Sequence, residues 1–154
     1  MPIYSALQVV GDGPGGVKVL TADRNGVYDE QNAGFITAFE RVVWPLLAGS
    51  LDSFIWVCTE GIWQIASVRE AHTVVGGASA AVTVVVCPQA VAIASGVVQL
   101  TAVLDLTITA PAGRAGTLIT TPTKMTVGDA VAVDFSGTLT GLVGAITVSL
   151  KKVG

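Results

Sequence analysis

The sequence predicts an all-β protein, an antiparallel β-sandwich or barrel carrying an N-terminal arm, and three observations predict it. Through the second two-thirds of the chain, apolar and polar residues alternate with a period of two, as strands with one buried face require. Glycine and proline punctuate these runs at short intervals, which is the spacing of turns in sandwiches and barrels. Small and β-branched residues dominate a chain of 154 residues that is 51% hydrophobic and only 12% charged.

At the N-terminus, residues 7–10 and 17–20 read as short strands around the loop GDGPGG (residues 11–16), and a polar loop covers residues 23–32. Residues 34–47 carry Phe35, Ile36, Phe39, Val42, Val43 and Leu46 at a spacing nearer to a helix than to a strand. A short helix is expected there, ended by Pro45, because the residue before a proline resists helical backbone angles. Residues 1–50 are therefore assigned to an arm or small subdomain and residues 51–154 to the sandwich. The runs FIWVCT and IWQIASVREAHT flank Glu60-Gly61 and predict a hairpin with a two-residue turn. Trp56 and Trp63, equally far from that turn, would then face each other across it.

Further turns are signalled by Gly76-Gly77, Pro88, Gly96, Pro111, Gly113, Gly128-Asp129, Gly137 and Gly141. Residues 99–110 give the clearest alternation, with Leu100, Ala102, Leu104, Leu106, Ile108 and Ala110 on one face. Val131, Val133 and Phe135 alternate with Ala130, Ala132 and Asp134, whose small side chains suggest close approach of another layer. Ile146, Val148 and Leu150 alternate with Thr147, Ser149 and Lys151. About seven or eight strands are expected after residue 53.

Composition narrows the function. Residues 71–104 contain no Asp, Glu, Lys or Arg. A surface so poor in charge is expected to be covered by protein partners. The net charge of −3 argues against a basic face for nucleic acid, and Lys151-Lys152, the one adjacent basic pair, reads as a solvated tail. Cys58 and Cys87 sit in apolar runs and read as buried free thiols, although the spacing alone leaves their proximity open. No basic segment followed by an apolar run marks a signal peptide. The apolar stretch 78–104 is broken by Pro88, Gln89, Ser95, Gly96 and Gln99, which disfavours a membrane-spanning helix.

No motif makes a case for catalysis, a cofactor or a metal. GDGPGG formally matches a dinucleotide loop, but strand-forming Val17, Val19 and Leu20 follow where a helix is required. His72 is the one histidine and lacks Cys or carboxylate partners at ligand spacing. Ser67, His72 and Asp105 make a triad on paper, without a nucleophile turn. Asp29-Glu30 reads as a solvated loop, Asp129 as a turn residue and Asp134 as part of an exposed strand face. Trp44, Trp56 and Trp63 are read as core or interface anchors before a sugar-stacking platform.

From about residue 62 to 153, the segments IWQIASVREAHT, ASGVVQLTAVLDL and GTLITTPTKMTVGDAVAVDFSGTLTGLVGAITVSLKKV resemble the small β-rich domains of tailed-phage virion proteins, including head decoration proteins. The resemblance implies a jelly-roll-like sandwich, assembly into homotrimers and attachment to a virion surface. It brings no catalytic residues. On this reading the chain is expected to be a non-enzymatic cement protein, assembled in the host cytoplasm and seated on the capsid surface, where it bridges copies of the major capsid protein. Tyr4, Phe35, Phe39 and Trp44 are the expected contact residues. Two rivals are a tail or fibre module binding a host glycan, which needs an exposed Trp56 or Trp63, and a small hydrolase built around His72.

Overall fold

The computed structural model describes residues 8–13, 16–22, 28–29 and 38–154. The chain divides into two compact units, residues 1–38 with Gly154, and residues 39–153. In the first unit, β1 (Gln8–Gly13), β2 (Gly16–Ala22) and β3 (Tyr28–Asp29) form an antiparallel sheet in that order. Gly13 pairs with Gly16, and the element that follows GDGPGG is a strand rather than a helix. Tyr4 and Phe35 lie outside the described residues.

The second unit is the sandwich. Its strands are β4 (Phe39–Leu47), β5 (Ser53–Val57), β6 (Trp63–Val74), β7 (Ala81–Cys87), β8 (Val97–Val98), β9 (Leu104–Asp105), β10 (Ala112–Gly116), β11 (Lys124–Met125), β12 (Ala130–Ser136) and β13 (Val143–Lys152). One sheet runs β10-β6-β13-β4, with β11 also on β6. The other runs β5-β12-β7-β8, with β9 also on β7. Every pairing is antiparallel. The chain repeatedly crosses between the sheets: β4 lies in the first, β5 in the second, β6 in the first, β7 in the second, β12 in the second and β13 in the first. This winding of eight main strands into two four-stranded sheets is that of a jelly roll.

Between the sheets, Leu46, Ile65, Val68, Ile146, Val148 and Leu150 meet Val82, Val84, Val86, Val131 and Val133. Each such side chain contributes about 1.5–3 kcal/mol by leaving water. A second cluster lies on the other side of the second sheet, where Val85, Cys87 and Ala132 pack against Ile93 of a 3-10 turn (Ile93–Ser95). The close approach expected at Ala132 is therefore made by that turn. All seven residues of β7 are buried, as expected of a strand covered on both faces. This accounts for part of the charge-free run. Among the described residues, no helix is long and apolar enough to cross a membrane.

Three expectations are corrected. Residues 39–47 form a strand, all nine of which register with β13. Val42, Trp44 and Leu46 pack inward while Phe39, Arg41, Val43, Pro45 and Leu47 point out. The two apolar faces of an edge strand had merged into an apparently helical pattern. Pro45 is tolerated because an edge strand need not donate on both sides. The strand thereby belongs to the compact unit Phe39–Val153.

The turn at Glu60-Gly61 is not a hairpin. β5 pairs with β12 and β6 with β13, so the turn carries the chain from one sheet to the other. Residues 99–110 do not form one strand either. Leu100, Leu104 and Leu106 are buried as expected, but only Leu104–Asp105 is a strand, and Ala102 and Ile108 are exposed.

Candidate functional site

β4 and β5 are the edge strands on one flank of the sandwich. Residues 48–52 connect them. The Trp56 Nε1–H on β5 donates to the Glu40 carboxylate on β4, closing the gap between the sheets. Along this flank Phe39, Val43, Leu47, Leu51, Phe54 and Val57 are exposed, Phe39 at 67% and Leu51 at 77% of their full surface. Leu47 also begins an apolar row across the outer face of the first sheet, because Val143 pairs with both Leu47 and Val74, and all three are exposed. Edge strands with apolar side chains and free backbone groups are surfaces that other chains pair with or cover.

An open groove of about 550 Å³ adjoins the flank, lined by Ala48, Leu51, Asp52, Phe135, Thr138 and Leu139 among others. Asp52 Oδ1 accepts the Phe135 N–H at 2.8 Å. Burial, and then the charge of Asp52, push the Asp134 carboxyl up from its ordinary value.

Of the four expected contact residues, Phe39 stands on this flank. Trp44 faces inward, half-buried against the core, so its part is in packing the sheets rather than in exposed contact. Phe54 and Val57 escaped the sequence reading because they sit in the run FIWVCT, which looks like a core strand, and Leu51 because it is a lone apolar residue in the connection before β5. No sequence signal marks the bulge in β5, where Trp56 pairs with Val131 and Phe54 with Ala132.

The tryptophans are spent on structure. Trp63 is buried, with its Nε1–H donating to the Glu60 carbonyl at 2.8 Å. Trp56 and Trp63 meet edge to face with ring centroids 5.7 Å apart. They do touch, but as a bridge between sheets rather than as a cross-strand pair. A sugar-stacking platform needs an open ring face, which buried Trp63 does not offer.

The triad written on paper does not converge. Ser67 is on the exposed face of β6 and His72 on its buried face. Hydrogen bonds from Thr107 hold the Asp105 carboxyl below its ordinary value and engage its Oδ1 at 2.7 and 2.8 Å. His72 belongs instead to a buried polar cluster. Its Nδ1 faces Glu70 Oε1, its Nε2 lies 2.8 Å from the Ile108 carbonyl, and Arg114 Nη2 lies 3.3 Å from Glu70 Oε2 and also reaches the Asp105 carbonyl. A bulge places these groups inside. Ser149 pairs with Ser67 but Leu150 with Ile65, so Ala66 is the extra residue and the buried series runs Trp63, Ile65, Val68, Glu70, His72. The sequence signal was Glu70-x-His72, two polar residues one strand period apart.

Cys58 lies in the cluster between the sheets and Cys87 in the cluster outside them. Val57 and Cys87 both register with Ala130, on its opposite sides. The backbones of Val57 and Cys87 are thus two strand spacings apart, about 9.5 Å, and the two thiols, buried in clusters on opposite sides of that sheet, are free. Burial pushes both thiols up, away from the reactive thiolate. Among the described residues, no three His, Cys, Asp or Glu side chains gather as a metal site would require. Neither a protein-family model nor a curated protein matches the sequence.

Proposed function

We propose that this chain is a structural virion protein, a capsid decoration protein that assembles as a trimer and clamps neighbouring capsomers of a phage head. The observation that carries the reading is the apolar flank of β4 and β5, with Phe39 and Leu51 more than half exposed on a jelly-roll sandwich. A jelly roll is an architecture found among capsid proteins, and the resemblance of residues 62–153 to tailed-phage virion domains points the same way. Burying the flank is worth about 25 cal/mol per Å² before the costs of association are subtracted. Three weak contacts made together by a trimer would multiply into firm attachment.

The test is electron microscopy of phage particles with and without the protein, joined to a sedimentation assay in which purified full-length chain is added to particles lacking it. The reading expects density on the head at sites of local three-fold symmetry, and loss of co-sedimentation for the double variant Phe39→Asp, Leu51→Asp. Density on the tail or fibres, or a double variant that binds as well as the parent, would overturn it.

A further inference from the structure

The Glu70–His72–Arg114 cluster fixes a charge state by geometry. Glu70 and His72 are each about 1% exposed. The two ring nitrogens of His72 face two acceptors, the Glu70 carboxylate at Nδ1 and the Ile108 carbonyl at Nε2. A neutral imidazole has one N–H and satisfies only one of them; the imidazolium has two and satisfies both. The charged groups around the ring are few. Glu70 stands on the same strand and Arg114 on β10, which pairs with β6. Asp105 lies on β9, with its carboxylate turned to Thr107. β13 brings Gly144 against the ring's own residue and no charge. The opposing sheet presents Val82, Val84, Val131 and Val133.

The Ile108 bond has a mechanical consequence. For residues 107–110, the hydrogen bonds among described residues are the local pair from Thr107 to Asp105 and the one from His72 to Ile108. Leu106 on one side is tied to Ala80 and Gly76, and β10 on the other is paired with β6. The His72 bond is thus what fastens the middle of this exposed connection to the sandwich.

We propose that His72 is a pH-operated latch: as the imidazolium it ties residues 107–110 to β6, and on losing its Nε2 proton it releases them. The proton lost is the one on Nε2, because the Nδ1–H points at a carboxylate, the stronger acceptor. Neutral His72 then turns a lone pair toward the Ile108 carbonyl oxygen, and that contact becomes repulsive. The direction of the ring's titration agrees. Burial lowers it, but the bonds to Ile108 and Glu70 outweigh burial and hold it above the ordinary 6.5.

Nuclear magnetic resonance on the full chain decides the matter, and His72, being the one histidine, gives an unambiguous signal. Imidazole nitrogen shifts are followed from about pH 5 to 9, around the ordinary histidine value, together with the backbone carbonyl and amide shifts of residues 107–110. The latch expects a His72 midpoint above 6.5, an Nδ1–H tautomer on the basic side, and a change in the carbonyl carbon shift of Ile108 and the amide shift of Thr109 with the same midpoint. Val84 and Val148 should not change. His72→Gln, which donates at every pH, should abolish the transition in residues 107–110; if that variant does not fold, the wild-type titration alone decides. A midpoint at or below 6.5, an Nε2–H tautomer at high pH, or residues 107–110 unmoved across the titration overturns the proposal.

Discussion

Glu70 is the buried anion between two cationic partners, and its removal leaves Arg114 and His72 without one. Breaking such a buried set from one side costs about 3–5 kcal/mol. Glu70→Ala is therefore expected to lower the unfolding free energy by that amount in a urea titration. The pH dependence has a defined sign. Because His72 titrates above 6.5 in the folded chain, its contribution to stability is complete below about pH 6.5 and is lost as pH rises through the folded value. Unfolding free energy should fall as pH rises above about 6.5, and His72→Gln should flatten that slope.

Gln99 is fully buried. Its Nε2 donates to the Val97 carbonyl and to Thr123 Oγ1, and its Oε1 accepts the Thr123 N–H, all at 2.8 Å. Gln99→Leu fills similar space but strands those partners, and a loss of about 1–3 kcal/mol is expected. Gly137 has φ +72°, and a Cβ there would clash with the Ser79 carbonyl. Gly137→Ala should therefore cost more than about 1 kcal/mol in the same assay.

At the scale of the element, β4 separates the strand from the helix it resembled. Leu46 is fully buried and Val43 is 60% exposed. Leu46→Ala should cost about 2–5 kcal/mol and Val43→Ala less than about 0.5 kcal/mol. A helix would have placed neighbours three and four apart on one side; the strand divides them by parity. This contrast shows where sequence patterns are legible. β12 and β13 were, because one face of each is apolar and the extra residues of the bulges they meet, Ile55 and Ala66, sit on their partners β5 and β6. β6 was legible as a strand but not as the source of the polar cluster, since the bulge at Ala66 changes which residues point inward. Residues 99–110 misled in the opposite direction. Their leucines do reach the core, yet from turns and a two-residue strand, because alternation records only which side chains are buried and not whether a ladder runs beneath them. The flank was partly legible at Phe39. It was hidden at Leu51, Phe54 and Val57, because edge position is a property of topology.

Across the whole molecule, the low charge of the chain has two separate destinations. Part lies inside: β7 is buried on both faces, and the segment around it fills two apolar clusters. The rest lies outside, along β4, β5 and the row from Leu47 through Val143 to Val74. The second portion has no structural use in an isolated sandwich, and it is the part that the proposed assembly would bury. Multi-angle light scattering of the purified full-length chain tests this most directly. Self-assembly through the flank predicts a particle of about three chains of 15.6 kDa, reduced to one chain by Phe39→Asp with Leu51→Asp; a parent chain that stays monomeric at every concentration reached contradicts it.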